Sequence, residues 1–177
     1  MQPRFEKTGA SLDKYYTAVD HLPDVPKSYI LSISDIRYNG NICPTADIDP
    51  NKESIFAVYD VSPQLQSMYQ SLFDIKVHVR WQIVTADLPL HYDWGVSRDK
   101  YIYILDTGGD DVVTEFWDAL ENDPIVGGSF PIAGRKKVYE VKENIHSWFK
   151  IDVKTPHRVM NITRPRVALI IRPAGKT

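Results

Sequence analysis

The chain of 177 residues holds one cysteine, Cys43, no run of 18 apolar residues and no marked excess of either charge. Each absence excludes something. A lone thiol forms no intrachain disulfide and supports no zinc site built on several thiolates, which fits a reducing cytoplasm. Without a long apolar stretch no membrane-spanning helix is expected, and the opening Met1-Gln2-Pro3-Arg4-Phe5-Glu6-Lys7 lacks the apolar core of a signal peptide. A net charge of -2 and a pI near 6.2 leave no sequence-wide basic field for nucleic acid or an anionic membrane. There is also no phosphate-cradling Gly-rich loop and no G-x-S-x-G elbow, and nothing around Cys43 resembles a nucleophile's setting.

What is present reads as one globular domain over residues 1–177, mainly β with flanking helices and long enough to bury about two-thirds of its unfolded surface. Residues 1–74 form an N-terminal wrapping segment and a supporting helix. The first 28 residues are polar and broken by Pro23 and Pro26, with a short helix around residues 12–19. Residues 29–36 carry branched side chains in partial alternation and read as a strand that ends at Asn39-Gly40-Asn41, followed by loop to about Lys52. Ser62 as N-cap, Pro63 at the first helical position and Leu65, Met68, Tyr69, Leu72 and Phe73 on one stripe predict an amphipathic helix packed on a sheet.

From Ile75 the period changes to two. Ile75, Val77, Val79, Trp81 and Ile83 share one face and Lys76, His78, Arg80 and Gln82 the other, as in a half-buried strand. Short strand-like segments follow at residues 100–105, 112–117, 137–141, 148–153 and 167–171, separated by glycine-containing turns. This spacing predicts an antiparallel sandwich or barrel.

The chemistry gathers at Pro89-Leu90-His91-Tyr92-Asp93-Trp94 and, later, at Thr155-Pro156-His157. In an extended strand residues i and i+2 project to the same side, so the imidazole of His91 and the carboxylate of Asp93 can meet on one ion. The pair alone is weak: with 5 His and 23 acidic residues, composition predicts about 0.65 such pairs. His157 supplies a third donor. Two His and one carboxylate cover one face of an octahedron and leave three positions open, the arrangement of non-haem Fe(II) oxygenases, whereas a closed zinc site needs a fourth protein ligand.

His91-Tyr92-Asp93, the downstream Pro156-His157 and Arg166 nine residues later resemble the iron- and 2-oxoglutarate-dependent dioxygenase superfamily over about residues 75–173. The last part, Trp148 to Val153, His157 to Ile162 and Arg166 to Arg172, is similar to its short aspartyl/asparaginyl- and prolyl-hydroxylase-type members of bacteria and phages. The resemblance implies a double-stranded β-helix, or jelly roll, in residues 75–173. It implies Fe(II) on His91, Asp93 and His157, and 2-oxoglutarate as cosubstrate with its distal carboxylate on Arg166, for which Arg164 and Arg172 compete. The implied activity hydroxylates an aliphatic carbon of a peptide side chain or small metabolite with dioxygen. Tyr101 and Tyr103 share one side of their strand; they either reach the cosubstrate carboxylate or pack as aromatic core. Arg98, Trp94 and Trp117 are candidates for binding substrate or cosubstrate, against readings as exposed arginine and packed aromatics. Two other readings compete: a jelly roll that binds without turnover, and a cupin-type metalloenzyme that needs no 2-oxoglutarate.

Overall fold

The computed structural model describes residues 14–39, 55–93, 97–123, 129–174. Along the chain they form β1 (Tyr16–Val19), a 3-10 turn at Lys27–Tyr29, α1 (Ile33–Asn39), β2 (Phe56–Asp60), α2 (Pro63–Gln70), β3 (Val77–Val84), β4 (Leu88–His91), β5 (Asp99–Asp106), β6 (Val113–Trp117), β7 (Lys137–Val141), β8 (Trp148–Asp152), β9 (His157–Met160) and β10 (Arg166–Pro173).

The last eight strands pair in nested fashion, all antiparallel: β3 with β10, β4 with β9, β5 with β8 and β6 with β7. A long double strand wound in this way splits into two facing sheets. One is ordered β1-β8-β5-β10-β3-β2 and the other β4-β9-β6-β7. That is the double-stranded β-helix, or jelly roll. β10 is its centre, bonded to β3 on one side and β5 on the other and buried on both faces. Alternation along β10 separates two cores. Val167, Leu169 and Ile171 pack outward with Val77, Val79, Trp81, Leu65 and Tyr69, whereas Ala168 and Ile170 turn between the sheets to Ile102, Ile104, Phe116, Phe149 and Ile151. Truncating fully buried Leu169 to alanine would cost about 2–5 kcal/mol.

The expected helix is present at α2. Ser62 caps it by accepting from the Leu65 amide, Pro63 opens it, and Leu65 and Tyr69 are buried on the outer face of the larger sheet. Leu72 and Ile75, by contrast, are exposed, because α2 ends at Gln70 and β3 begins only at Val77.

Two N-terminal expectations are reversed. Residues 16–19 are strand, not helix, because Tyr16 and its neighbours extend the larger sheet by pairing with β8. Residues 33–39 are helix, not strand: Ser32 caps them through its hydroxyl on the Asp35 amide, and Ile36 is buried against the outer core. β2 carried no clear sequence signal and is held by its register on β3, Phe56 opposite Val84 through Asp60 opposite Arg80. Cys43, Asn41 and Gly40 lie outside the described residues.

Candidate metal centre

β4 and β9 lie side by side in the smaller sheet, with His91 opposite His157 across the ladder. Asp93 follows β4 by two residues and is held by its amide on the Val153 carbonyl at 3.2 Å. The three side chains converge: one ligand atom from each lies within 4.8 Å of the others. Asp93 Oδ1 is 3.3 Å from His91 Nε2 and 3.4 Å from His157 Nε2.

Protonation follows from the other ring nitrogens. His91 Nδ1 lies 2.7 Å from the Pro89 carbonyl and His157 Nδ1 2.9 Å from that of Thr155. A carbonyl only accepts, so each Nδ1 carries the hydrogen and each ring, when neutral, turns its Nε2 lone pair inward. Burial, reinforced by His91, holds the His157 pKa below its ordinary value and so favours the neutral ring. Burial alone would push the Asp93 carboxyl up, but the charge of Lys100 beside it works the other way, and the group lies well below the usual carboxylate range. Two lone pairs and a carboxylate oxygen then face one another with no proton between them. Such an arrangement repels itself unless a cation sits at its focus. Two imidazoles and one carboxylate suit a divalent transition metal with open positions. The His91 side chain is 22% exposed and that of His157 only 4%, so the centre opens on the His91 side.

The far oxygen of Asp93 is also engaged. Lys100 Nζ donates to Oδ2 at 2.8 Å and Arg172 at 3.1 Å, while Lys154 donates to the Asp93 carbonyl at 3.1 Å. Lys100 is buried, as a lysine seldom is without a partner. Burial lowers its pKa and Asp93 works against that, while the charges of Arg172 and Arg166 add to the lowering. Its signal was present in the sequence: a lysine that alternates with Tyr101 and Tyr103 shares its face with Ile102 and Ile104, and a lysine on an apolar face implies a counter-charge.

The other expected residues are placed as follows. Arg166 is 2% exposed at the start of β10 and faces the barrel interior, where its guanidinium donates to Glu143 at 2.6 Å and Gln82 at 3.2 Å. Glu143 also accepts from the Thr114 hydroxyl at 2.7 Å. Gly108, at φ +85°, backs onto this cluster; a Cβ there would lie 2.8 Å from the Arg166 Cβ. Arg164 is exposed and pairs with Asp106 at 3.2 Å, whereas Arg172 pairs with Asp93 of the candidate centre at 3.1 Å. Tyr101 and Tyr103 point outward, away from the Lys100 face. Tyr101 meets Phe73 edge-on at 5.4 Å, and Tyr103 packs against Trp148 at 5.2 Å. Of their two readings, the structure matches aromatic packing. Arg98 donates to Asp152 at 2.7 Å with a largely exposed side chain. Trp117 lies on the outer face of the smaller sheet, its indole N–H on Glu115 at 3.0 Å and Arg158 stacked over its ring. Trp94 lies outside the described residues.

No helix among the described residues is long and apolar enough to cross a membrane. No family model matches this chain, and no curated protein matches it in sequence. Solved structures do share its shape. The E. coli protein ycfD superposes with a TM-score of 0.51 at 9% identity, over 94% of this chain and 52% of its own. Vicilin from hazelnut (Corylus avellana) gives 0.41 at 12% identity, over 72% of this chain and 32% of that one. Bacillus subtilis oxalate decarboxylase gives 0.40 at 13%, over 75% and 29%. The chain therefore spans about half of ycfD and about a third of the other two. At such identities the likeness concerns fold alone, and the fold is the jelly roll that the nested strand pairing already defines.

Proposed function

We propose that this protein is an Fe(II)- and 2-oxoglutarate-dependent oxygenase that hydroxylates an aliphatic carbon of a peptide side chain or small metabolite. One observation carries the reading: His91, Asp93 and His157 turn two lone pairs and a carboxylate oxygen onto a common point, with nothing but open space required of the remaining coordination sites. A bound Fe(II) would supply the redox chemistry, in which 2-oxoglutarate, dioxygen and R–H become succinate, carbon dioxide and R–OH. The chain's own residues do the rest. The Nδ1 hydrogen bonds fix both rings; Lys100 and Arg172 hold Asp93 from behind and place positive charge where a dicarboxylate needs it. Lys100 and Arg172 already share Asp93 as their internal anion, so a cosubstrate carboxylate would join that cluster. Arg166 likewise already carries an internal anion, Glu143, which a cosubstrate carboxylate would have to join or replace. A reducing cytoplasm suits Fe(II) and the lone Cys43 alike.

That same Glu143–Arg166 pair favours a second reading, a jelly-roll metalloenzyme that uses no 2-oxoglutarate. The two are separated by adding 2-oxoglutarate to the Fe(II) protein without oxygen. The first reading expects a weak visible charge-transfer band, lost in His91→Ala, and succinate once oxygen is admitted. Metal binding with neither band nor succinate leaves the second; no metal binding at all leaves a binding protein without turnover.

A further inference from the structure

β4, which ends on His91, is an edge strand of its sheet. An open edge exposes unpaired backbone groups, and here the chain between β6 and β7 returns to cover it. The Phe130 amide donates to the Leu90 carbonyl at 3.0 Å, and Ser129 bridges to His91. Tyr92 stands between the two ligands of this strand. Successive side chains of an extended segment alternate, so with His91 and Asp93 turned to the metal point Tyr92 turns away, into the returning chain.

What receives Tyr92 is a built polar site. Its ring lies 5.0 Å from that of Phe130, and its hydroxyl donates to Asp123 Oδ2 at 3.0 Å. Asp123 is gripped by both terminal nitrogens of Arg135, one at 2.7 Å, and by the Leu120 amide at 2.8 Å. Arg135 in turn donates to the carbonyls of Pro131 at 3.1 Å and Asp118 at 3.0 Å and lies over the Phe130 ring. The Arg135 and Asp123 side chains are 4% and 9% exposed. Backbone contacts alone would cover the edge. The buried ion pair adds a fixed acceptor beneath one hydroxyl, that of the residue between the ligands.

We propose that Tyr92, Asp123 and Arg135 form a clasp that positions the metal ligands, with Tyr92 the positioning residue: it sets the backbone from which His91 and Asp93 project. The proposal rests on the metal-centre reading. It is tested on the full chain with Mn(II) as probe, by paramagnetic resonance titration alongside chemical unfolding. Tyr92→Phe removes one oxygen and is expected to weaken Mn(II) binding about 10-fold or more, the range typical of partners that orient ligands, while the unfolding midpoint barely moves. Asp123→Asn weakens it likewise, and combining the two adds little because both act on one hydrogen bond. Glu115→Gln, which loosens a buried ion pair on the outer face of the same sheet, lowers stability and leaves Mn(II) affinity unmoved. Should Asp123→Asn fail to fold, Tyr92→Phe decides alone. Wild-type affinity in Tyr92→Phe, or an equal loss in Glu115→Gln, overturns the clasp; a wild type that binds no Mn(II) removes the metal centre and the clasp together.

Discussion

At one end of the barrel interior His91, Asp93 and His157 face acceptor to acceptor beside Arg172, while six residues earlier on the same face of β10 Arg166 pairs with Glu143 and Gln82, donor with acceptor, and Thr114 donates to Glu143. Both clusters are polar and lie between the same two sheets. They differ in closure. The Arg166 cluster neutralises its own charge and leaves only Arg166 Nε without a partner among the described residues. The histidine cluster turns like atoms toward one another and could hold a metal ion. Residue type alone does not separate the two: Arg166 and Asp93 are both charged and largely enclosed, with side chains 3% and 12% exposed, and what differs is the arrangement of donors against acceptors.

The largest effect is expected from His157→Ala. Losing a ligand is expected to reduce metal affinity by more than about 100-fold, beyond the range seen for supporting partners, with little change elsewhere. Titration with Mn(II) or Fe(II) reads it directly; retained affinity would mean that the two clusters are of one kind. Next in size is Glu143→Leu. It leaves Arg166 buried and uncompensated and should cost about 3–5 kcal/mol of unfolding free energy, most of it recovered in the double variant Glu143→Leu/Arg166→Met, with metal affinity unchanged in both. Urea unfolding measures this, and a mild Glu143→Leu would show that Arg166 is free to bind a ligand.

Lys100→Met tests the ligand side. Removing one charged hydrogen bond of about 1.5–3 kcal/mol should weaken 2-oxoglutarate binding by roughly 10-fold or more, read from the charge-transfer band. If the Glu143→Leu/Arg166→Met variant loses that affinity and Lys100→Met keeps it, the anchor is Arg166.

The smallest effect expected is an acid one. Hydrogen bonds from Arg135 hold the Asp123 carboxyl down at about 2, from an ordinary 3.8, against the opposing pull of burial. A depressed pKa contributes stability that is complete above the unfolded value and is lost as pH falls through the folded one. The clasp's share should therefore disappear between about pH 4 and pH 2, and Asp123→Asn should flatten that part of the acid unfolding curve.

Much of the fold was legible because its signals are local. Ser62-Pro63 announces a helix start, and the period of two along residues 77–83 announces a strand, since capping and alternation act over a few residues. Where the deciding contact is remote, the local pattern misleads. Residues 16–19 are strand because β8, more than 120 residues on, offers an edge. Gln82 reads as a solvent-facing residue yet is 3% exposed, because the even-numbered face of β3 closes over the Arg166 cluster instead of meeting water.

By itself the sequence determined the donor set, the alternation that sends His91 and Asp93 to one side, and the strand spacing of a jelly roll, all of which follow from side-chain chemistry and the pleat of a strand. Tertiary structure alone decided which charges those donors meet. Lys100, Arg172, Glu143 and Asp123 gain their roles from partners 7, 79, 23 and 12 residues away in the chain, brought together by nested strand pairing. Spacing of that kind carries no periodic signal, so only the folded register could place two cations behind Asp93 and a carboxylate against Arg166.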